Sequence, residues 1–485
     1  MAAGFTEASR HLCGGALRRL AAVVLGAVLV CSFSAPLLAA PTAAMDAAYQ
    51  AISEGRQAAA IRMLRDQLEQ HPDDLEARAL LAQLLSWSGA LVEAGDQAER
   101  VLARDPVHPE ALRARADAAA WRGDFATALP VYRRYLRHHP SAQARLAYGN
   151  ALVAAGYLQR ARTTLDEFDL QRSWKTFEEF ERVTAERQAL VRRLHRRSAP
   201  SLLVGGTRYR DSAGSRRNES RAAFEQPLGD VRLNLLLELV ETNDDQKSSD
   251  AHSALLGAEA RVTDWLTASA ALGATEIRDD QIDGYPVGRL NAWGRFDNLD
   301  YRLRLERNVF DETPTLLTNR IRLSELELGS GYAFSDRLQL AGNLTRTRYS
   351  DDNDSTEVEL TPQVVLRLRD PGVRLGYRRN HLTFDRQSGS GYFDPDRLEA
   401  DRIMLFATLF LPRLRGGVEL YAGQQRFSRF GESVEQFIAG GSARVEVDLG
   451  RHLVLQTEVE GGNFDLRTPE GFSYWMGTLN LVFRL

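Results

Sequence analysis

The chain has 485 residues, enough for two or three domains, and a formal net charge of −4, too near neutral for nucleic-acid binding by bulk charge. Both cysteines, Cys13 and Cys31, fall in the first forty residues, so disulfide and thiol chemistry are excluded from everything that follows them. The basic residues are arginines except Lys175 and Lys247, a compositional bias that carries no site information.

Residues 1–40 read as an export signal. Arg18 and Arg19 precede an apolar run from Leu20 to Val30, and the small residues Ala35, Ala39 and Ala40 follow. An uncleaved anchor helix is the competing reading. Ser32, Ser34 and Pro36 interrupt the run well short of the ~20 residues that a span needs. Cys31 follows the bulky Val30, which argues against lipidation.

From Met45 the apolar period becomes helical and a repeat appears. Pro72, Pro106 and Pro140 are spaced 34 residues apart, as are Gly55, Gly89 and Gly123, and Ala60, Ala94 and Ala128; Trp87 and Trp121 keep the same interval. Gly permits a tight interhelical turn, a small Ala lets helices approach, and Pro ends the second helix. The segment resembles the tetratricopeptide repeat over residues 45–166, with Tyr148, Gly156 and Ala161 marking a fourth, shifted copy. That resemblance implies a solenoid that binds a protein partner in its groove. Trp87, Trp121, Tyr132 and Tyr135 read as inter-helix core. His108, His138 and His139 read as exposed loop residues, with no Cys or carboxylate completing a metal site.

Residues 167–199 read as a helical linker. Trp174, Phe177, Phe180, Val183, Leu190 and Leu194 keep near-helical spacing, and Arg192, Arg193, Arg196 and Arg197 close the segment. It caps the solenoid on the plain reading. On the functional one, its basic end lies at the periplasmic mouth of the next domain, near lipid phosphate or polymer.

Residues 200–485 alternate with period two. Val231, Leu233, Leu235, Leu237 and Leu239 oppose Arg232, Asn234 and Glu238, and Leu299, Tyr301, Leu303 and Leu305 oppose Asp300, Arg302, Arg304 and Glu306. Strands of about ten residues or more with one charged face match the lipid-crossing length of a tilted strand. Sixteen are predicted, beginning at 201–210, 219–228, 231–241, 253–263 and 266–276 and ending at 474–485. Short turns such as Gly229-Asp230 and Asp370-Pro371-Gly372 alternate with long polar loops such as Asn243–Ser249, Ser350–Ser355 and Gln387–Leu398. This is how a transmembrane β-barrel is built, with the long loops on the cell surface and both strand ends toward the periplasm. The last strand, with Trp475, Leu479, Leu481, Phe483 and Leu485 on one face, resembles the terminal strand of outer-membrane barrels, though it ends in Leu rather than an aromatic. The fold class is therefore α+β multidomain, an all-α tetratricopeptide solenoid followed by an antiparallel barrel.

No catalytic constellation stands out, and neither cofactor nor metal is expected. Asn380-His381 with Ser388 resembles the Ser, His and Asn set of an outer-membrane phospholipase, but Ser388 falls in a loop beyond the strand. Asp351, Asp352 and Asp354 lack the glycine-containing loop of a calcium site. The register instead points Arg302, Arg304, Glu306, Arg367, Arg374, Glu419, Tyr421 and Gln456 into the lumen. Such a mixed lining suits a hydrated polymer better than an ion of one sign.

Gly391-Tyr392-Phe393-Asp394-Pro395 resembles the Gly-Tyr-(Tyr/Phe)-x-Pro element in barrels of bacterial cellulose-export subunits. The order of signal, repeats and barrel is similar to those subunits, to the poly-N-acetylglucosamine export porin and to YaiO-type barrels. The resemblance implies export of an exopolysaccharide chain through the outer membrane, with periplasmic repeats docking synthesis or modification partners. Outer-membrane lipid, a periplasmic protein and the polysaccharide are the expected partners, and nucleic acid is not. The alternative is a scaffold whose repeats bind a protein and whose barrel only anchors it. An outer-membrane hydrolase ranks last.

Overall fold

The helical repeats fold as their period requires. In a computed structural model that describes residues 43–169, 177–278, 282–463 and 473–485, the first helices are α1 (Ala43–Ser53), α2 (Gln57–Gln70), α3 (Leu75–Ser88) and α4 (Leu91–Leu102). They continue as α5 (Pro109–Arg122), α6 (Phe125–His138), α7 (Ala142–Ala155) and α8 (Leu158–Asp169), and α9 (Phe177–Ser198) leads to the strands. Residues 1–40, expected to be the export signal, and Trp174 lie outside the described residues. Gly89 and Gly123 end α3 and α5 at φ 89° and 82°, the left-handed turn that glycine adopts without strain. Asp74 and Asp124 start the helices α3 and α6 by accepting from Ala77 N and Thr127 N.

Small residues make the solenoid core. Ala60, Ala94, Ala118 and Ala128 are fully buried, and Leu64, Leu81 and Leu84 pack beside them. Tyr132 is 1% exposed because its hydroxyl donates to Asp117, which also receives Arg113 at 2.8 Å. Two expectations are corrected. Trp87 is 38% exposed and not core, while His108, expected in an exposed loop, is 5% exposed. His108 precedes Pro109 at the start of α5, and its ring is drawn in between Glu76 and Glu110, 3.5 and 3.3 Å away. α9 caps this unit through Leu190, which lies against Gly149 where a Cβ would meet it at 2.7 Å. Its last residues, from Arg193, belong with the barrel, which forms the second compact unit.

Sixteen antiparallel strands close into that barrel. The first eight are β1 (Ser201–Asp211), β2 (Arg216–Leu228), β3 (Val231–Asn243), β4 (Ser248–Thr263), β5 (Leu266–Arg278), β6 (Ile282–Phe296), β7 (Leu299–Val309) and β8 (Arg322–Ala333). The rest are β9 (Leu338–Tyr349), β10 (Asp354–Arg367), β11 (Gly372–Phe384), β12 (Arg397–Phe410), β13 (Leu414–Arg429), β14 (Glu432–Asp448), β15 (Leu453–Gly462) and β16 (Tyr474–Arg484). Each pairs with its sequence neighbours, and β16 pairs with β1 from Ser201↔Arg484 to Asp211↔Tyr474. Because paired residues share a face, one register assigns the whole wall. Leu235, Leu256, Leu272, Leu290, Leu305, Leu328, Leu344 and Leu360 look outward and are all at least 40% exposed. Their neighbours of opposite parity carry the charges inward.

One further helix, α10 (Pro314–Thr318), lies in the loop between β7 and β8. Thr313 caps it by accepting from Leu316 N, and Leu316 and Leu317 are buried. The barrel is therefore not an empty tube.

Candidate functional site: the luminal wall and its folded-in loops

The lumen is lined by ion pairs set side by side. On β6 to β8, Glu306 receives Arg289 at 2.8 Å and also Arg304, while Arg302 pairs with Glu327 at 2.5 Å. On β10 to β13, Arg378 of β11 bridges Glu359 of β10 at 3.3 Å and Glu419 of β13 at 3.1 Å, crossing β12 to reach the second. Arg374 donates to Gln363 and stacks 5.1 Å over Phe406, and Arg402 lies 5.5 Å over the Tyr421 ring. Tyr421 itself lies flat across Gly440 and Gly462, where a Cβ would meet its hydroxyl at 2.4 and 2.3 Å. Gln456 donates to Glu446, which also holds Arg415 at 3.0 Å, and Arg444 pairs with Glu458 at 2.7 Å. Pairing neutralises the charges locally and leaves hydrogen-bonding edges along the wall.

Seven of the eight residues expected in the lumen thus face it. Arg367 does not. A bulge between Val365 and Arg367 shifts it opposite Val373, on the parity of the outward Leu375, and its guanidinium donates to Asp370 O at the short turn.

Two loops fold into the long-loop end of the barrel. Residues 310–321 bring α10 against Ala251 and Ile277 of the inner wall. Arg217 of β2 reaches Asp311 of that loop at 3.3 Å. Residues 385–396 bring Tyr392 onto Tyr349, the rings stacked 4.5 Å apart, and Phe393 edge-on to Phe427 at 5.1 Å. The two loops meet. Phe310 lies 5.9 Å from Tyr392, Asn319 donates to Ser390 O, and Gly391 at φ 107° lets the chain pass Thr315 where a Cβ would meet it at 2.8 Å. This corrects the expectation that Gln387–Leu398 is displayed on the surface. Tyr392, Phe393 and Asp394 are 5%, 4% and 0% exposed, and Pro395 is buried with them.

Polar latches hold the second loop. Asp394 accepts from Ser388 Oγ and pairs with Arg429 at 2.7 Å. The Tyr392 hydroxyl donates to Asp351 and receives Asn353 Nδ2 at 3.0 Å. Burial pushes the Tyr392 hydroxyl up to about 12, so it stays a donor. The acidic loop near Ser350–Ser355 is thus a strike plate for its neighbour, a role that sequence reading missed because Asn353 and Tyr392 are 39 residues apart. Below the loops a cavity of about 680 Å³ is lined by Arg217, Glu357, Arg378, Arg402, Glu419 and Tyr421 from the strands and by Leu316 and Tyr392 from the loops. Tyr209 and Tyr474, stacked 5.9 Å apart, also border it.

The structure does not bring the Ser, His and Asn set together. Asn380 faces inward and donates to Glu357, His381 faces outward beside Glu399, and Ser388 serves Asp394. Among the described residues no cluster of His, Cys, Asp and Glu could hold a metal ion. At the short-turn end, Arg196 lies 3.7 Å from Asp448, which Arg415 and Arg484 also approach, and burial, then Arg232 and more weakly Arg415 and Arg484, lower the pKa of Arg197.

In the solenoid, Tyr49, Glu76, His108 and Glu110 form a second polar cluster. The bond to Glu76 raises the His108 pKa above its ordinary value, against the pull of burial, and lowers that of Glu76. Burial, then the two glutamates, raise Tyr49.

A family model described as tetratricopeptide repeat matches residues 51–118. No curated protein matches the chain. Among solved structures, the barrel is similar to a bacterial polysaccharide outer membrane secretin at 14% identity and a TM-score of 0.49, covering 59% of this chain and 99% of that one. It is also similar to OpdQ of Pseudomonas aeruginosa at 10% identity and a TM-score of 0.32, covering 59% and 98%. The helices are similar to a tetratricopeptide repeat protein from Parabacteroides merdae at 17% identity and a TM-score of 0.27, covering 32% of this chain and 58% of that one.

Proposed function

We propose that this chain is an outer-membrane channel that exports an exopolysaccharide, its barrel spanning the membrane and its repeats docking a periplasmic synthesis or modification partner. One observation carries the reading. A closed sixteen-stranded wall is leucine outside and ion-paired inside, so it belongs in lipid while offering a polar path. A sugar chain needs hydrogen-bonding edges that exchange without gripping, and arginines already satisfied by carboxylates provide them. Tyr209 and Tyr474, which border the cavity, add aromatic surface along which sugar rings slide. In this reading the chain conducts and catalyses nothing, and the loops at 310–321 and 385–396 must swing aside for polymer to leave. The folded-in loops also favour a second reading, an anchor that never opens, with the repeats as the working part.

Narrowing and unlatching separate the two. Asn234→Trp with Gln456→Trp, both on the inward face, should lower secreted polymer while the amount of protein at the cell surface stays normal. Tyr392→Ala with Asp394→Ala should free the loop and raise ion conductance in a planar bilayer. A cysteine at Gln246, exposed in the turn after β3, should react with an impermeant reagent on intact cells. One at Phe393 should react only in the unlatched background. Unchanged polymer in a strain whose export depends on this chain would establish the anchor reading, and labelling of Gln246→Cys only after lysis would overturn the membrane topology.

A further inference from the structure

We propose that the outward face of β5 to β9 binds one phosphorylated, multi-acyl lipid of the outer leaflet. This rests on the membrane-spanning reading above and goes beyond it. A groove of about 760 Å³ runs down this face between Leu272, Leu290, Leu305 and Leu326. Gly288 stands in the row Leu272↔Gly288↔Arg307 at its floor, where a Cβ would come within 2.9 Å of Leu272 Cδ2.

The end of the groove nearest the long loops is cationic. Two adjoining rows set the charges side by side. Arg307, Ser324 and Arg348 are paired across β7, β8 and β9, and Leu305, Leu326 and Arg346 lie one step below them. Arg346 and Arg348 share a single carboxylate, Asp354, at 3.4 and 3.2 Å, and remain 60% and 75% exposed. The Arg307 guanidinium makes no hydrogen bond or ion pair with the described residues, and the side chain is exposed. Three guanidinium groups face one paired carboxylate, with Asp352 of the neighbouring loop acting on Arg348 from further off, so the patch stays net positive. Other arginines of this face are matched: Arg278 with Glu276, Arg379 with Glu399 and Asp401, and Arg426 with Glu435.

Unmatched guanidinium groups beside lipid call for an anion, and phosphate fits their planar donors. The leucine groove beneath them takes hydrocarbon rather than a polar partner. Arg307 and Arg348 lie within two residues of the ends of β7 and β9, which places the charges at headgroup depth and the groove at acyl-chain depth. Only a lipid that joins phosphate to several chains satisfies both halves at once.

The test uses the full chain purified in detergent, with the heat-modifiable band confirming a closed barrel in every sample. Native mass spectrometry should find one lipid A molecule retained, but neither phosphatidylcholine nor inorganic phosphate. Retention should fall at least about tenfold in the triple variant Arg307→Gln, Arg346→Gln, Arg348→Gln. It should also fall in Gly288→Leu, which fills the groove without touching a charge. The control Arg208→Gln, Arg210→Gln, Arg216→Gln, on the outward face of β1 and β2, should retain lipid as the wild type does. Equal loss in the control, retention by the triple variant, inorganic phosphate held as well as lipid A, or a second copy of the chain held in place of lipid would each overturn the proposal. So would a wild-type barrel that labels at Gln246→Cys on intact cells yet holds no lipid; failure of that labelling falls on the membrane reading instead.

Discussion

The solenoid and the barrel obey one rule in two solvents. In the solenoid, leucine and alanine are hidden and charge is outside. Among the described residues before the strands, Tyr49, Trp87, Val107 and Phe180 are the large apolar side chains left exposed. In the barrel the order is reversed, with leucine outside on nearly every strand and arginine–glutamate pairs within. The solenoid packs against itself, so its interior must be dense. The barrel turns its leucines to its surroundings and its ion pairs to its interior. The same residue therefore has opposite consequences in the two halves.

The largest test of that contrast is a cavity. Leu112 is fully buried in α5, so Leu112→Ala should destabilise the helical unit by about 2–5 kcal/mol. The helical circular dichroism signal should melt earlier while the heat-modifiable band of the barrel is unchanged. Loss of both together would mean that the two units fold as one.

A charge sharpens the comparison further. Leu360, 51% exposed on the outward face of β10, should tolerate Arg poorly, at about 2–4 kcal/mol if it lies near the membrane midplane. Trp87→Arg, at a similarly exposed position in α3, should move stability by no more than about 0.5 kcal/mol. Chemical unfolding of the refolded protein in lipid vesicles measures both, and equal costs would break the two-solvent account.

The smallest effect is a titration confined to the solenoid. His108 faces Glu76 of α3 and Glu110 of its own helix, with Asp105 in the preceding turn. Its folded pKa is raised, so its contribution is fully present below its ordinary value of about 6.5 and is lost as pH rises through the raised value. Melting of the helical signal should therefore fall as pH rises above about 6.5, and His108→Gln should flatten that slope. Glu76 acts with the opposite sign, its contribution fading only as pH drops below the ordinary carboxylate range.

Much of this is legible in the sequence, and each departure has its own physical cause. The sixteen strands and their faces follow from alternating leucine, because lipid demands an apolar residue at every second position. The strand starts at the long-loop end lie several residues earlier than the alternation predicts, at Arg216 and Ser248 instead of 219 and 253. Beyond the apolar belt the outward face no longer needs leucine, so the alternation fades at Asp250 and His252 while the ladder of backbone hydrogen bonds continues. The burial of Tyr392 and Phe393 was invisible for a different reason: their partners Asn353, Tyr349, Phe427 and Thr315 are distant in the chain. Arg367 lost its expected place to one bulge, which no periodicity announces. His108 was misjudged because a residue before proline reads as loop, whereas two glutamates had made it an interior group.

The seam between the first and last strands has a consequence for how the barrel comes to exist. Every other strand pairing joins chain neighbours and can form as a hairpin lengthens, but Thr207 and Thr478 meet across 271 residues. Until Tyr474–Arg484 docks on Ser201–Asp211, the molecule is a ribbon with two raw margins, each a template for some other chain. Becoming a tube then waits on that one pairing. Whatever shields those margins in the meantime governs whether one ribbon closes on itself or two ribbons are stitched together.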